Sequence, residues 1–346
     1  MSDRANPILI RTDASPQIGT GHLMRCLALA QAHQETGGCT IFAMARKPPA
    51  LVERLKLDAM EIVPLSVIPG SSEEAKTTAS LAQELGCNGV VVDGYHFSAE
   101  YQKILTKFGL NLLFIDDCGH ASHYYANWIL NQNIHANETL YQSRESYTQL
   151  LLGTRYTLLR REFRQWQGWQ RETIQKASKI LVTLGGGDPD NVTGKVIQAL
   201  QQIGSEMLEV IVVVGGANPH YEQLQFYCQE LRFPVRLVRN VTNMPELMAW
   251  ADIAVTAGGS TCWELAFMGL PSLILIVAEN QRAIAQKLEE VKVGVNLGWH
   301  ENIGIEEIAS AIVQLLEKVY IRTKMSQLGR ELVDGRGAFR VLSNLE

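Results

Sequence analysis

Short runs of apolar residues alternate along this chain with longer stretches of helical periodicity, and this alternation restricts the fold more than any other feature. Residues 7–11 form the first apolar run, and a polar loop containing glycines continues through Gly21. Residues 22–36 then place apolar side chains at helical spacing and stop at a pair of glycines, a common helix end. Strands that alternate with helices predict parallel sheets joined by crossover helices, so we predict an α/β fold.

The apolar runs fall into two series, which predicts two domains. The first series comprises residues 7–11, 40–44, 89–92, 111–115 and 128–130, and the second comprises residues 179–184, 210–214, 235–238, 253–256 and 272–276. A polar segment without strand character, residues 160–178, separates them, and 346 residues are many for a single core. We predict an N-terminal domain over residues 1–165, a C-terminal domain over residues 175–346, and a ligand cleft between them at the carboxyl ends of the strands.

Composition excludes several classes of partner. The net charge of −5 disfavours nucleic acid and anionic membranes, because both favour a basic surface. The six cysteines lack zinc-ligand spacing, so we expect no metal and a reducing compartment. The N-terminus lacks the apolar core of a signal peptide, and no window approaches the roughly 18 apolar residues of a membrane span. We therefore expect a cytoplasmic protein, and the sequence does not indicate an oligomeric state.

The loop after the first strand carries the strongest candidate for catalysis. Gly19 and Gly21 allow the backbone to approach a ligand, and the helix that follows offers unpaired N–H groups. His22 stands at the start of that helix, where the dipole disfavours a protonated ring and helps the histidine to accept a proton. The alternative is that His22 only caps the helix. Arg25, one turn later, either orients a carboxylate or the ligand or is structural.

Two glycine turns in the second series suit a phosphate-bearing ligand. In the first, residues 185–188 follow a strand and precede a helix over residues 191–200, which would place pyrophosphate on backbone amides at a helix N-terminus. In the second, Ser260 or Thr261 would cap a helix, and Glu264 would accept the ribose hydroxyls. The alternatives are a tight turn without ligand and a solvated glutamate. Asn280 and Gln281 end the last strand, where Asn280 would also suit the N-cap of residues 282–290.

Polar residues also end successive strands of the first series, which favours a sugar pocket because each hydroxyl or acetamide needs a partner. These strand ends are residues 93–96, residues 116 and 117, and residues 131–133. Asp116 and Asp117 also suggest a metal site, which we disfavour because neighbouring residues at a strand end project in different directions. Four nearby histidines remain unassigned: His96, His120, His123 and His135.

The string RTDASPQIGTGHLMRCLALAQA closely resembles the opening of the PseG-type UDP-sugar hydrolases of the pseudaminic-acid pathway, which are related to the GT-B glycosyltransferase MurG. The strings VVDGYHF, FIDDCGH, ILNQN, LGTRYTLLRREF, LGGGDPDN, AGGSTCWELAFMGLP and AENQ follow in the expected order. The resemblance implies a GT-B-like fold, two Rossmann-type domains facing each other across a cleft. It also implies cleavage of UDP-2,4-diacetamido-2,4,6-trideoxy-β-L-altropyranose or a close relative to free sugar and UDP, without metal or cofactor.

The resemblance makes His22 the catalytic base and also implies nucleotide-sugar contacts for Tyr95, Glu264 and Asn280. The full set of predicted substrate-binding residues is Asp13, Gly19, Gly21, Arg25, Tyr95, Asn131, Arg155, Gly185, Gly186, Gly187, Asp188, Gly259, Ser260, Thr261, Glu264, Asn280 and Gln281. Two other functions stay open: a GT-B glycosyltransferase that uses a UDP-sugar donor, and a binding protein without catalysis.

Overall fold

The computed structural model describes residues 6–15, 19–216 and 218–345. The chain divides into two compact units: the residues up to Arg161 together with those from Gly335 onward form the first, and Glu162–Asp334 form the second. Among the described residues, no helix has both the length and the apolar character that crossing a membrane requires.

The first unit is built on a sheet of seven strands, counted over the residues described above. These strands are β1 (Pro7–Thr12), β2 (Cys39–Met44), β3 (Glu61–Pro64), β4 (Gly89–Asp93), β5 (Asn111–Ile115), β6 (Trp128–Asn131) and β7 (Gln149–Leu152). The first helices of the chain are α1 (Gly21–Glu35), α2 (Pro49–Leu57), α3 (Ser72–Glu84) and α4 (Ala99–Lys107), and short 3-10 helices occupy Glu138–Tyr141, Thr154–Tyr156 and Arg161–Trp166. All neighbouring strands pair in parallel, in the order β3-β2-β1-β4-β5-β6-β7.

Both faces of this sheet are buried, which explains why its central strands are almost continuously apolar. Successive side chains of a strand point to opposite faces. Leu9 packs in the cluster that contains the apolar residues of α3 and α4, whereas Ile10 packs in the cluster that contains those of α1. The sheet is therefore a layer between helices.

The strand order reverses between β1 and β4, and this reversal fixes the position of the candidate site. In open α/β sheets, ligands bind at the carboxyl ends of the two strands between which the order reverses, and here these strands are β1 and β4. Thr12 of β1 pairs directly with Asp93, the last residue of β4. The residues that follow Thr12 and those around Asp93 therefore share one edge of the sheet.

The second unit repeats this plan with six strands among the described residues. They are β8 (Lys179–Thr183), β9 (Glu209–Val214), β10 (Val235–Arg239), β11 (Ile253–Ala257), β12 (Ser272–Ile276) and β13 (Gly294–Trp299). Its helices are α5 (Val192–Ile203), α6 (Tyr221–Gln229), α7 (Met244–Trp250), α8 (Thr261–Phe267), α9 (Arg282–Glu290), α10 (Ile305–Glu317) and α11 (Val319–Leu332), with a 3-10 helix at Glu279–Gln281. The parallel order is β10-β9-β8-β11-β12-β13, so the reversal lies between β8 and β11, the two strands that lead into the glycine turns.

Two parallel α/β sheets are confirmed, but three strands were not predicted: β3, β7 and β13. All three lie at the edge of a sheet. Residues of β3 are half-buried or exposed, and β13 contains two glycines and an asparagine, which are depleted in strands. Edge strands carry fewer apolar residues than central ones, so their pattern in the sequence is weak.

The last helix, α12 (Gly337–Leu345), returns to the first unit. Its residues Val341 and Leu342 are buried in the same cluster as Leu27 and Ala30 of α1. The prediction that the C-terminal domain runs to residue 346 is therefore wrong for this helix. The amphipathic pattern of a helix predicts that its apolar face is buried, but the pattern does not indicate which of the two sheets the helix covers.

We expect Gly337→Ala to destabilise the first unit. A Cβ atom at this position would lie 2.2 Å from the carbonyl oxygen of Thr157, so α12 would have to move away from the segment it packs against. Overpacking of this kind costs about 1–3 kcal/mol, which lowers the unfolding midpoint of a unit of this size by about 2–12 °C. Gly89→Ala is the matched control, because an added Cβ there has no neighbour closer than 3.9 Å. Equal thermal midpoints for the two variants would contradict the packing described for α12.

Candidate active site

The loop between β1 and α1 ends in a tight backbone turn. The amide of Gly19 donates to the carbonyl of Ser15 at 2.8 Å, and Gly19 has a φ of +80°, which favours glycine. Pro16, Gln17 and Ile18 of the predicted loop lie outside the described residues. Helix α1 begins at Gly21 with Thr20 as its N-cap, and no side chain caps it. His22 therefore does not serve as the helix cap.

His22 forms a buried pair with Asp93. Its Nδ1 lies 2.6 Å from Oδ1 of Asp93, and the two side chains are 9% and 0% exposed. Nη2 of Arg25 also lies 3.1 Å from Nδ1, but the shorter contact with a carboxylate favours the tautomer in which Nδ1 carries the proton and Nε2 carries the lone pair. No side chain or backbone group in the described part of the protein forms a hydrogen bond with Nε2. This is the arrangement of a histidine that takes a proton at Nε2 while a carboxylate orients its ring.

Arg25 lies one helical turn after His22 and binds two carboxylates of its own chain. Its Nε and Nη2 donate to the two oxygens of Asp93 at 2.6 and 2.7 Å. Its Nη1 donates to both oxygens of Asp117 at 2.8 Å. Burial by itself would raise the pKa of Asp93, but the Arg25 guanidinium and the His22 ring hold it well below its usual range. Of the roles left open for Arg25, this geometry is that of a residue that orients carboxylates, not of one that contacts ligand.

Tyr95 stands beside this cluster with its ring accessible to solvent. Its ring meets that of His22 edge to face, with centroids 4.9 Å apart, and its hydroxyl donates to Oδ2 of Asp117 at 3.0 Å. The residue is 42% exposed. The structure therefore brings together two of the residues predicted from the sequence, His22 and Tyr95, at the carboxyl ends of β1 and β4.

Asp13, which we predicted from the sequence to bind substrate, forms its hydrogen bonds with other groups of the protein. Its carboxylate accepts hydrogen bonds from Nη2 of Arg11 at 2.7 Å and from the amides of Ala45 and Arg46 at 2.9 and 2.8 Å. Burial would raise the pKa of Asp13, but the hydrogen bond from Arg11 and its charge lower it. The prediction for Asp13 is corrected accordingly: the side chain ties the loop after β1 to the end of β2.

Asn131 is likewise internal. Its Nδ2 donates to the carbonyl of Asp117 at 3.1 Å and to the hydroxyl of Tyr141 at 2.8 Å, and its Oδ1 accepts from Nδ2 of Asn133 at 2.9 Å. The side chain of Asn131 has no exposed surface, so a ligand cannot contact it. Polar residues at strand ends often satisfy backbone groups of the neighbouring loops, and the sequence alone does not separate these residues from the ones that face solvent.

Arg155 lies apart from the His22 cluster. It is exposed on the 3-10 helix that follows β7, and its guanidinium covers the ring of Tyr156 at 5.1 Å. Three strand spacings separate β4 from β7, which amounts to roughly 14 Å. The structure does not bring Arg155 together with His22.

In the second unit, the first glycine turn differs from the predicted phosphate site. Gly185 has a φ of +96°, and Gly186 and Gly187 follow it. The carboxylate of Asp188 accepts hydrogen bonds from the amides of Val192 and Thr193 at 2.8 and 2.9 Å. Asp188 thus occupies the N-terminus of α5 where pyrophosphate was expected, so the prediction that this residue and this helix terminus bind phosphate is corrected. Within the described part of the chain, the amides of the three glycines form no hydrogen bond with another protein group.

The second glycine turn forms a hydrogen bond with a side chain from the segment that follows β12. The amide of Gly258 donates to Oε1 of Gln281 at 3.2 Å, and the same oxygen accepts from the amide of Val277 at 3.1 Å. The amide of Gly259 donates to the carbonyl of Ala257 at 2.8 Å. Gln281 therefore holds the turn with its side-chain oxygen, which is a different role from the predicted ligand contact.

Helix α8 starts directly after this turn. Ser260 occupies the N-cap position, as predicted, but its side chain forms no capping hydrogen bond with the helix. Glu264 lies half-buried in the first turn of α8. Asn280 is exposed on the 3-10 helix before α9, whose N-cap is Gln281 rather than Asn280.

One group of residues in the described part of the chain has the proximity of metal ligands: Asp116, Cys118 and His120, whose donor atoms lie within 4.8 Å of one another. The carboxylate of Asp116 already accepts the amides of Cys118 and Gly119 at 2.8 and 3.0 Å. Burial would lower the pKa of His120, but its contact with Asp116 raises it to about 10. A protonated ring has no lone pair for a metal ion. The expectation that the protein uses no metal stays a prediction.

Sequence reasoning missed Asp93 as the partner of His22, and it placed Asp117 and Asn133 only among the polar strand ends that would line a sugar pocket. Asp93 and His22 are 71 positions apart. Their proximity follows from the pairing of β4 with β1, which no periodicity in the sequence reveals. A usable signal was an aspartate at the end of a buried strand, because an ionised carboxylate there needs a cationic or hydrogen-bonding partner.

Residues 180–332 match the Glycosyltransferase family 28 C-terminal domain, and this range contains both glycine turns. The uncharacterized protein MJ1062 of Methanocaldococcus jannaschii is 25% identical over 284 residues, which make up 80% of this chain and 56% of that protein. This chain therefore spans little more than half the length of that relative. The UDP-2,4-diacetamido-2,4,6-trideoxy-beta-L-altropyranose hydrolase of Campylobacter jejuni is 24% identical over 283 residues, 80% of this chain and 94% of that enzyme.

Among solved structures, MurG of Acinetobacter baumannii matches with a TM-score of 0.68 at 14% sequence identity, over 98% of this chain and 99% of that one. A likeness at this level of identity shows the fold. The chain has the GT-B fold, with parallel α/β units of seven and six strands, and its second unit matches a glycosyltransferase family 28 C-terminal domain.

Proposed function

We propose that this protein hydrolyses a UDP-diacetamido-trideoxyhexose, UDP-2,4-diacetamido-2,4,6-trideoxy-β-L-altropyranose or a close relative, to UDP and the free sugar. The observation that carries the proposal is the buried pair of His22 and Asp93 at the carboxyl edge of the first sheet. The similarity to the Campylobacter jejuni hydrolase supports the choice of substrate.

His22 acts as the general base. Asp93 keeps the proton on Nδ1, so Nε2 presents a lone pair to a water molecule, and the same carboxylate stabilises the imidazolium that forms. General-base assistance of this kind is typically worth about 10²–10⁴-fold in rate. A protein that only binds a sugar nucleotide has no need of a histidine held in this way.

The reaction is a displacement at the anomeric carbon. The oxygen of water forms a bond to that carbon while Nε2 of His22 takes the water proton. The bond from the carbon to the β-phosphate oxygen breaks, and its electron pair leaves with UDP, so the configuration at the carbon inverts. UDP is a stable anion, and the reaction needs no protein acid if amide donors hold its charge.

We assign recognition of the nucleotide to the second unit. The match to the family 28 C-terminal domain supports this assignment, as do the two glycine turns at the reversal of its strand order. The amides of Gly185, Gly186 and Gly187 are the candidate pyrophosphate donors. Glu264, half-buried in the first turn of α8, is the candidate partner of the ribose hydroxyls.

A second candidate function is transfer of the sugar to an acceptor other than water. The match to a glycosyltransferase family and the fold shared with MurG favour it. Both functions use the same donor and the same base. They differ in whether UDP is released at a useful rate when no acceptor is present.

We expect His22→Asn to lower kcat for UDP release by at least about 10²-fold and to leave UDP affinity within about threefold, because the base is lost while the nucleotide contacts remain. A coupled UDP-release assay without acceptor and isothermal titration with UDP measure the two effects. His123→Asn is the matched control, since His123 contacts Ser143 and Glu145 on the surface of the same unit. Activity of His22→Asn within a few-fold of wild type would remove His22 from the mechanism. No UDP release by the wild-type protein would reject hydrolysis.

We also expect EDTA to leave the rate of UDP release unchanged. The proposed mechanism places the charge of UDP on backbone amides and not on a cation. Dialysis against EDTA, followed by the assay with and without added Mg²⁺ or Mn²⁺, measures the dependence. A loss of more than about tenfold that either ion restores would contradict the expectation.

A further inference from the structure

Four ionisable side chains meet around Asp93, and their charges do not balance when the histidine is neutral. Asp93 and Asp117 are negative, and Arg25 is positive. A neutral His22 leaves the cluster with one excess negative charge, whereas a protonated His22 neutralises it. Asp93 has no exposed surface and Arg25 is 7% exposed, so water screens these charges weakly. The charges of the cluster therefore balance only after His22 has taken up a proton.

Arg25 on its own would work against the base. Its guanidinium holds both oxygens of Asp93 and so neutralises much of the charge that Asp93 offers to the ring. Asp117 restores that charge, because both of its oxygens accept Nη1 of the same guanidinium at 2.8 Å. Arg25 is thus shared between two carboxylates.

Asp117 is itself held in place by two further hydrogen bonds. Nδ2 of Asn133 donates to its Oδ1 at 2.7 Å, and the hydroxyl of Tyr95 donates to its Oδ2 at 3.0 Å. Asn133 is buried and is fixed in turn by Oδ1 of Asn131. Donors from the loops after β4 and β6 and from α1 therefore converge on one carboxylate, which sets the position of the guanidinium.

Both carboxylates are ionised at neutral pH and respond to the histidine. Burial would raise the pKa of Asp117, but Arg25 lowers it, and the charge of His22 lowers it further. The charge of His22 also lowers the pKa of Asp93. Both carboxylates are therefore negative charges near the ring that can balance the proton it takes up in the reaction.

We propose that Asp117 is a positioning residue of the His22 base: through Arg25 it fixes Asp93 against the ring and supplies the negative charge that balances the imidazolium. The proposal deepens the proposed function, since it concerns the base of that reaction. It also accounts for Asn133 and for the hydroxyl of Tyr95, which the mechanism otherwise leaves without a role.

The other ionisable groups around the cluster leave this charge count unchanged. Cys26, whose Sγ is 3.5 Å from Oδ2 of Asp93, has a pKa raised well above its usual range by burial and by Asp93, so it is a neutral thiol. Burial lowers the pKa of His96 to about 4 and also lowers that of His135. His120 is positive and paired with Asp116. Asp13 is paired with Arg11.

Asp117→Asn tests the proposal because it keeps the shape of the side chain and removes its charge. With one negative charge fewer, the imidazolium is less stable, so the ring should lose its proton at lower pH than in the wild type. Ring nitrogen NMR signals of ¹⁵N-histidine-labelled protein follow this titration, and His22→Asn assigns the signals of His22. We expect kcat for UDP release to fall about tenfold or more, KM to stay within about threefold, and the acidic limb of the rate profile to move to lower pH.

Asp117→Glu retains the charge and should recover most of the titration midpoint and of kcat. Asp58→Asn is the matched control, because Asp58 pairs with Arg54 and Gln31 on α2 and α1, away from the cluster. Thermal unfolding verifies that each variant is folded, and Asp117→Ser replaces Asp117→Asn if the latter is not. An unchanged midpoint together with kcat within twofold of wild type would overturn the proposal. A shifted midpoint in a protein that releases no UDP would support the charge relation and reject only the proposed function.

Discussion

The ionised carboxylate of Asp93 is the group on which the organisation of the first unit depends. It lies at the end of a central strand without exposed surface, and an unpaired charge there would cost several kcal/mol. To pair this carboxylate, a helix must carry two hydrogen-bonding side chains three residues apart on one face and must place that face next to the end of β4. Helix α1 meets this need with His22 and Arg25, while its apolar residues pack into the core on one face of the same sheet.

A second buried charge cluster fixes the loop that leads into α1. Arg11, fully buried in β1, pairs with Asp13 after the strand and with Glu74 near the start of α3. Glu74 also accepts the amide of Gly70. These contacts fix the end of β1 and Asp13, from which the loop toward His22 starts. His22, the proposed base, is therefore supported by the partner of its ring and by the anchored start of its loop, and the proposed reaction requires such a rigid geometry.

The fold was predictable from the sequence because it rests on periodicity. Alternating apolar runs and helical stretches mark the central strands of both sheets, and the glycine-containing loop before His22 marks the candidate site. The partners within the site were not predictable, because they depend on strand order: Asp93 reaches His22 only because β4 lies beside β1. Asp13, Asn131 and Asp188 were mistaken for ligand contacts for a related reason. Each of these polar side chains lies at the end of a strand or in a turn. Only the structure shows that it already forms hydrogen bonds with backbone amides or with buried neighbours.

The account rests on water attacking carbon and not phosphorus, and isotope labelling tests this most directly. Turnover of the UDP-sugar in ¹⁸O-labelled water, followed by mass spectrometry of the nucleotide product, reports which bond breaks. The account predicts UDP without label, because the β-phosphate keeps its bridging oxygen when the carbon–oxygen bond breaks. The anomeric oxygen of a free sugar exchanges with water by ring opening. The label in the sugar product is therefore measured at early times and compared with the label that unlabelled free sugar takes up in the same water. Label in the β-phosphate of UDP, or release of UMP with a sugar phosphate, would contradict the account even if His22 proved essential.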